Sequence, residues 1–162
     1  MKPVVYLMCG LPGSGKTTLS GKLEYENNAV RFSIDEWMLN FYGETMSREE
    51  FDERFERCEH MIWKTANRLT QLGGSVILDF GFWKRERRRN YKTRITETGA
   101  HPVLYYIQVS DEVLQRRLEA RNELLPDDDD VFHITEEMLY SFIAQFEPPT
   151  EEEGFEIVEV KS

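Results

Sequence analysis

The chain has only two cysteines, Cys9 and Cys58, too few for a disulfide framework and at no zinc-site spacing. No apolar run reaches the roughly 20 residues a membrane-spanning helix needs, so no membrane partner is expected. Positive charge is scarce as well. Lys and Arg number 20 against 30 Asp and Glu, a formal net charge of −10, which argues against a protein that grips nucleic acid along its length but leaves room for a local basic patch. Internal repeats and a linker are both missing, so one domain is expected over residues 1–162. Met1-Lys2-Pro3 leads straight into an apolar stretch, and a cytoplasmic location is expected.

What the chain does have is a hydrophobic content of 40% and a charged content of 31%, the balance of a globular protein. Its most informative stretch is Gly10-Leu11-Pro12-Gly13-Ser14-Gly15-Lys16-Thr17. The apolar run Val4-Val5-Tyr6-Leu7-Met8-Cys9 before it reads as a buried strand, and Thr18-Leu19-Ser20-Gly21-Lys22-Leu23 after it reads as the start of a helix. Strand, glycine loop and helix is the context a phosphate-binding loop requires. Glycines let the backbone approach a ligand closely, and the helix N-terminus adds partial positive charge. The loop predicts binding of a nucleoside triphosphate through Gly10, Pro12, Gly13, Ser14, Gly15, Lys16, Thr17 and Thr18. Lys16 would reach the β- and γ-phosphates, and the Thr17 hydroxyl would meet Mg²⁺.

Further along, Ala29-Val30-Arg31-Phe32-Ser33 reads as a second strand, and Asp35 stands at its junction with a new helix, the sheet edge where ligands bind. The other reading of Asp35 is a helix N-cap. Ser47-Arg48-Glu49-Glu50 predicts a capping box, followed by a long helix with Phe51, Phe55, Cys58, Ile62, Ala66, Leu69 and Leu72 on its apolar face and a stop at Gly73-Gly74. Ser75-Val76-Ile77-Leu78-Asp79 is an apolar strand ending in an acid, the form that delivers a carboxylate beside Mg²⁺. Residues 84–94 hold seven basic residues and one acid, expected to form mostly a solvated helix face, with one or two arginines available for an anionic acceptor. A fourth strand precedes a helix that carries Arg116, Arg117 and Arg121, the last two sharing a face. The run Asp127 to Asp130 reads as a solvated loop. Thr135 is expected to cap the next helix, and Phe155-Glu156-Ile157-Val158-Glu159-Val160 alternates like a half-buried last strand. Trp37, Phe41, Tyr42, Phe80, Phe82 and Trp83 fall near the expected cleft, where they either pack helix to sheet or line an acceptor pocket.

Alternating strands and helices predict an α/β fold: a five-stranded parallel sheet over about 3–9, 29–33, 75–80, 102–109 and 155–160, flanked by helices on both faces. The glycine loop, Ser-Ile-Asp-Glu near 35, Ile-Leu-Asp-Phe-Gly-Phe near 80 and Leu-Gln-Arg-Arg-Leu-Glu-Ala-Arg-Asn near 118 together resemble the small AAA-type P-loop kinases, grouped with the 5′-kinase domain of phage polynucleotide kinase, zeta toxins and chloramphenicol phosphotransferase. The resemblance covers nearly the whole chain. It implies ATP and Mg²⁺ as cofactors, Asp35 as general base on an acceptor hydroxyl, Lys16 and Thr17 in the loop, Asp79 at the metal and Arg121, with Arg117 next, as the lid arginine. The polynucleotide kinase carries an Arg three residues after its base, where this chain has Met38, which argues against a polynucleotide acceptor. The expected function is transfer of the γ-phosphoryl group of ATP to a hydroxyl of a small molecule or nucleotide-like acceptor, the alternative being a nucleotide-binding ATPase or regulator. A GTPase is excluded because the chain lacks an Asn-Lys-x-Asp motif, and a protein kinase because Asp79-Phe80-Gly81 has no accompanying His-Arg-Asp loop.

Overall fold

A computed structural model describes residues 1–124 and 132–162; the aspartate run 127–130 lies outside the described residues. Among them, β1 (Val4–Cys9), β2 (Ala29–Ser33), β3 (Ser75–Gly81), β4 (His101–Gln108) and β5 (Glu156–Lys161) form one sheet in the order β2-β3-β1-β4-β5. Every pairing is parallel. The helices are α1 (Lys16–Asn27), α2 (Ile34–Tyr42), α3 (Arg48–Gln71), α4 (Arg85–Glu97), α5 (Asp111–Leu124) and α6 (Glu136–Gln145). No described helix is long and apolar enough to cross a membrane.

Strand alternation divides the core. Val5, Leu7, Cys9, Val76 and Leu78 pack against α3 and α4 through Cys58, Ile62, Ala66 and Ile95. Met8, Ile77, Ala29 and Ile107 turn to the other face and meet Leu23 of α1. Leu11 of the glycine loop joins a third cluster with Leu114, Leu118 and Leu139 of α5 and α6. The loop is thus anchored in apolar packing on the α5 and α6 side. The register Ser33↔Asp79 brings the ends of β2 and β3 side by side at the carboxyl edge of the sheet, where the loop after β1 also emerges.

Local signals set the helix ends. Ser47 accepts from the Glu50 N–H at 3.1 Å and Glu50 reaches back to the Ser47 N–H at 3.2 Å, completing the capping box of α3. The apolar stripe of α3 ends one step earlier than expected. Four residues after Ala66 the buried slot is filled by Thr70, while Leu72 is 84% exposed, because the helix stops at Gln71 and the chain turns outward through Gly73.

The largest departure from expectation is Arg88. The basic helix α4 is not simply a solvated face, since Arg88 is fully buried. Its Nε and Nη2 donate to the two carboxylate oxygens of Glu153 at 2.8 and 3.1 Å, and its Nη1 donates to the carbonyls of Phe82 and Trp83 at 2.9 and 3.1 Å. A buried guanidinium is tolerated because nearly all its donors are met. Burial pushes the Glu153 carboxyl up, but Arg88 and the Thr150 N–H together hold it below 4.5.

Arg88→Met leaves Glu153 without its cation, and a loss of about 3–5 kcal/mol in urea unfolding is expected. The unfolded chain takes up the Glu153 proton more readily than the folded one. The pair's contribution is therefore complete above pH 4.5 and drains away as the pH falls through the lower folded-state value. The gap in urea midpoint between wild type and Glu153→Gln should hold steady down to that pH and narrow below it.

Candidate active site

The loop between β1 and α1 opens directly onto an uncapped helix. Gly15 occupies the N-cap position in the left-handed region with no side-chain cap, and the first turn of α1 carries no acid. The N–H groups of Lys16, Thr17 and Thr18 therefore begin the helix without a side-chain acceptor, the arrangement that attracts an anion. Thr17 and Thr18 are exposed, Pro12 and Gly13 are half-buried, and Gly10 is buried. The Ser14 hydroxyl is buried within the loop and has no hydrogen-bond partner.

Three contacts brace the loop. The Gly10 N–H donates to the Gly81 carbonyl at 3.0 Å, and the Trp83 indole donates to the Gly10 carbonyl at 3.0 Å. Arg117 lays Nη1 on the Gly13 carbonyl at 3.3 Å and Nη2 on the Ser162 hydroxyl at 2.7 Å. Phe82, at φ 46, makes the bend that delivers Trp83, and its carbonyl accepts from Arg88 and from the Cys9 thiol at 3.4 Å. Burial pushes the Cys9 thiol up to about 12, so it packs as an unreactive side chain.

Asp79 sits behind the loop with its side chain 3% exposed. Its Oδ1 lies 3.8 Å from Lys16 Nζ, and its Oδ2 accepts from Arg31 Nη2 at 3.1 Å. Ser20 accepts from Arg31 Nε at 2.7 Å, and its own proton serves Asp79 Oδ2 at 3.1 Å or the Thr17 carbonyl at 3.0 Å. The sequence reading passed over Arg31 and Ser20. The strand period puts Arg31 on the α1 face of β2, but its partner on β3 follows only from the register of the two strands.

Asp35 is in the second position of α2. The cap is Ser33, whose hydroxyl accepts from the Glu36 N–H at 3.3 Å, so the Asp35 carboxylate is not consumed as an N-cap. Asp35 is open to solvent yet ringed by protein. Desolvation pushes its carboxyl above 3.8 and Asp79 and Glu36 add to that, against the pull of Lys16 and Arg121. Lys16, Asp79, Arg121 and Glu36 thus lie near enough to Asp35 for their charges to act on it. Arg117 faces the loop backbone instead.

On the far wall, Arg121 Nη2 donates to the Phe132 carbonyl at 3.2 Å and Asn122 donates to the Ile134 carbonyl at 2.9 Å, so α5 holds segment 132–134. That segment reaches across to the α2–α3 connection. Glu44 accepts from the His133 N–H at 2.8 Å, and the Phe132 ring meets Phe51 edge-on at 6.4 Å. Of the aromatics expected near the cleft, Phe82 is core and Trp83 is a brace, whereas Trp37 and Phe41 pair edge to face at 5.8 Å, with Phe41 exposed. Met38 is fully buried, so that position cannot touch an acceptor.

A hard divalent cation asks for oxygen ligands, and the Thr17 hydroxyl and Asp79 Oδ1 are oxygen donors at the loop. Among the described residues no group of three or more His, Cys, Asp or Glu forms a protein cage. Thr17 and Asp79 are donors of the kind that fit Mg²⁺, which keeps waters and shares its shell with phosphates.

Residues 5–149 match the family model described as an AAA domain. No curated protein matches the sequence. Among solved structures, a candidate kinase from Chloroflexus aurantiacus J-10-fl superposes with a TM-score of 0.78 at 20% identity, covering 99% of this chain and 89% of that one. Chaetomium thermophilum Kti12, solved in complex with ADP-AlF3, gives 0.72 at 15% identity over 98% of this chain and 88% of the other. A chain of the Pnkp1/Rnl/Hen1 RNA repair complex gives 0.69 at 22% identity over 88% of this chain and 43% of its own length. At such identities the likeness is one of fold, the P-loop α/β fold.

Two glycines one helical turn or so from Lys16 should respond oppositely to alanine. Gly13 has φ +80, and a Cβ there would stand 3.2 Å from Leu118 Cγ, so Gly13→Ala is expected to cost about 1–2 kcal/mol in urea unfolding. Gly21 lies inside α1 with open space around its missing Cβ, and Gly21→Ala should gain about 0.5–1 kcal/mol.

Proposed function

The chain belongs to the AAA domain family whose model matches residues 5–149, and from that premise we propose that it is an ATP-dependent phosphotransferase, a single kinase domain over residues 1–162. It carries the γ-phosphoryl group of ATP to a hydroxyl of a small molecule or nucleotide-like acceptor. The observation that carries this reading is the Asp35 carboxylate, left out of the helix cap by Ser33 and close enough to Lys16 to feel its charge: a regulator that only binds nucleotide has no use for a base there. The solved relatives support it, one described as a candidate kinase and another holding ADP-AlF3 on the same fold.

In this reading the β- and γ-phosphates lie on the N–H groups of residues 13–18. Thr17 and Asp79 would hold Mg²⁺, which supplies neutralisation of phosphate charge when bound. Lys16 and Arg121, whose positive charges both act on Asp35, would offset the charge of the transferring group. Asp35 accepts the acceptor's proton as its oxygen attacks in line. Little basicity is demanded of it, because the transition state is loose and positioning supplies most of the rate. Segment 132–134, tied to Glu44, closes the acceptor side and sheds water from the reaction.

Asp35→Asn is expected to lower kcat about 10²- to 10⁴-fold while the ATP dissociation constant changes little. Because the ionised form is the working one and its carboxyl is raised above 3.8, kcat/KM of the wild type should fall on the acid side with an apparent pKa above that value. Near-normal transfer by Asp35→Asn would remove it from the chemistry.

A further inference from the structure

Arg31 lies outside every catalytic role assigned above, yet three elements converge on it. It stands on β2 with its side chain 13% exposed, and its own N–H is fixed by Glu24 Oε1 of α1 at 2.9 Å. Its guanidinium spreads over Ser20 of α1, Asp79 of β3 and Glu36 of α2, at 2.7, 3.1 and 2.9 Å. Opposite it, on the other oxygen of Asp79, is Lys16 at 3.8 Å, beyond hydrogen-bond length.

The asymmetry has a physical consequence. A buried carboxylate needs a cation in close contact. If Lys16 were the only one, its flexible stem would let the ammonium close onto Asp79, and the lysine would be held by the protein. With Arg31 on Oδ2 through a charge-assisted hydrogen bond, that demand is met from behind, and the lysine ammonium stands off from the carboxylate at 3.8 Å. The same guanidinium ties Glu36, the residue after Asp35, so the first turn of α2 is set against the same carboxylate. The charges around Arg31 are Asp79, Glu36 and Glu24, and those around Lys16 are Asp79 and Asp35.

We propose that Arg31 is a positioning residue for the nucleotide site: by occupying the Oδ2 edge of Asp79 it releases Lys16 from that carboxylate to the nucleotide phosphates, and by gripping Glu36 it sets the turn that carries Asp35. The proposal rests on the nucleotide-binding half of the function given above. Arg31 makes no bond to the nucleotide; it acts through Asp79 and Glu36.

The test is a double-mutant cycle on the whole chain, read by calorimetric titration of ADP in EDTA, so that neither turnover nor metal enters. Each variant is titrated below its own melting midpoint. Arg31→Met should weaken ADP binding about tenfold, the worth of a single charge-assisted hydrogen bond between Lys16 and a phosphate. Arg31→Lys, which keeps the charge but cannot fork, should weaken it about threefold. Asp79→Asn, which removes the competitor for Lys16, should tighten it. In the Asp79→Asn background the Arg31→Met change should matter by less than about twofold. A merely structural Arg31 would lower the melting midpoint without this pattern in affinity. Wild-type affinity in Arg31→Met, or an equal loss in both backgrounds, overturns the proposal. Should Arg31→Met not fold, Arg31→Lys completes the same cycle against Asp79→Asn. ADP binding with no transfer to any acceptor would contradict the phosphotransferase reading and leave this assignment standing; transfer by a protein whose ADP affinity ignores Arg31 would do the reverse.

Discussion

Charge balance around one buried carboxylate is the constraint on which this structure depends. Asp79 lies near the carboxyl end of β3, beside the glycine loop and shielded from solvent, and a bare carboxylate there would be prohibitive. The protein meets it from two directions, Arg31 on Oδ2 and Lys16 near Oδ1, with Ser20 between. Those contacts come from α1, β2 and β3, so the relation of the loop helix to the sheet is set by electrostatics as well as by the apolar contact of Leu23 with Met8 and Ile77. Glu36 extends the same network into α2 and so to the residue beside it, Asp35.

A second network fixes the loop from the other side. The Phe82 bend, the Trp83 indole on Gly10, and Arg88 on the Phe82 and Trp83 carbonyls form one braced corner, tied through Glu153 to the turn before β5. Arg117 adds a strut on the lid side. Braced backbone donors need little reorganisation when an anion arrives, and fixed donors aimed at developing charge are the strongest device available to a phosphotransferase. Here the segment at 132–134 meets Glu44, before α3, through the His133 N–H and ring, and meets Phe51 of α3 through the edge of the Phe132 ring.

Much of this was legible in the sequence because it is local. The glycine loop, the capping box at Ser47, the cap at Thr135 and the five strands are each specified by residues within a few positions, and all stand within a residue or two of expectation. What could not be read were partnerships made by register. Arg31 looked like an ordinary strand residue until the pairing of Ser33 with Asp79 brought the ends of β2 and β3 together. Arg88 belonged to a basic run whose composition says nothing of which arginine turns inward, since Glu153, 65 residues on, decides it. The aromatics expected near the cleft divided in the same way: Phe82 and Trp83 serve the loop, and only geometry separates them from an exposed ring such as Phe41.

The central claim is that this site moves a phosphoryl group rather than only holding nucleotide. The most direct measurement follows ADP release from Mg·ATP across a panel of hydroxyl acceptors: nucleosides, oligonucleotide 5′-ends, sugar nucleotides, and aminocyclitol or phenicol antibiotics. The account predicts strong stimulation by one class, with phosphorus-31 spectra showing the γ-phosphate on that acceptor. A slow release unchanged by every acceptor, with all the phosphate appearing as the inorganic ion, would contradict it.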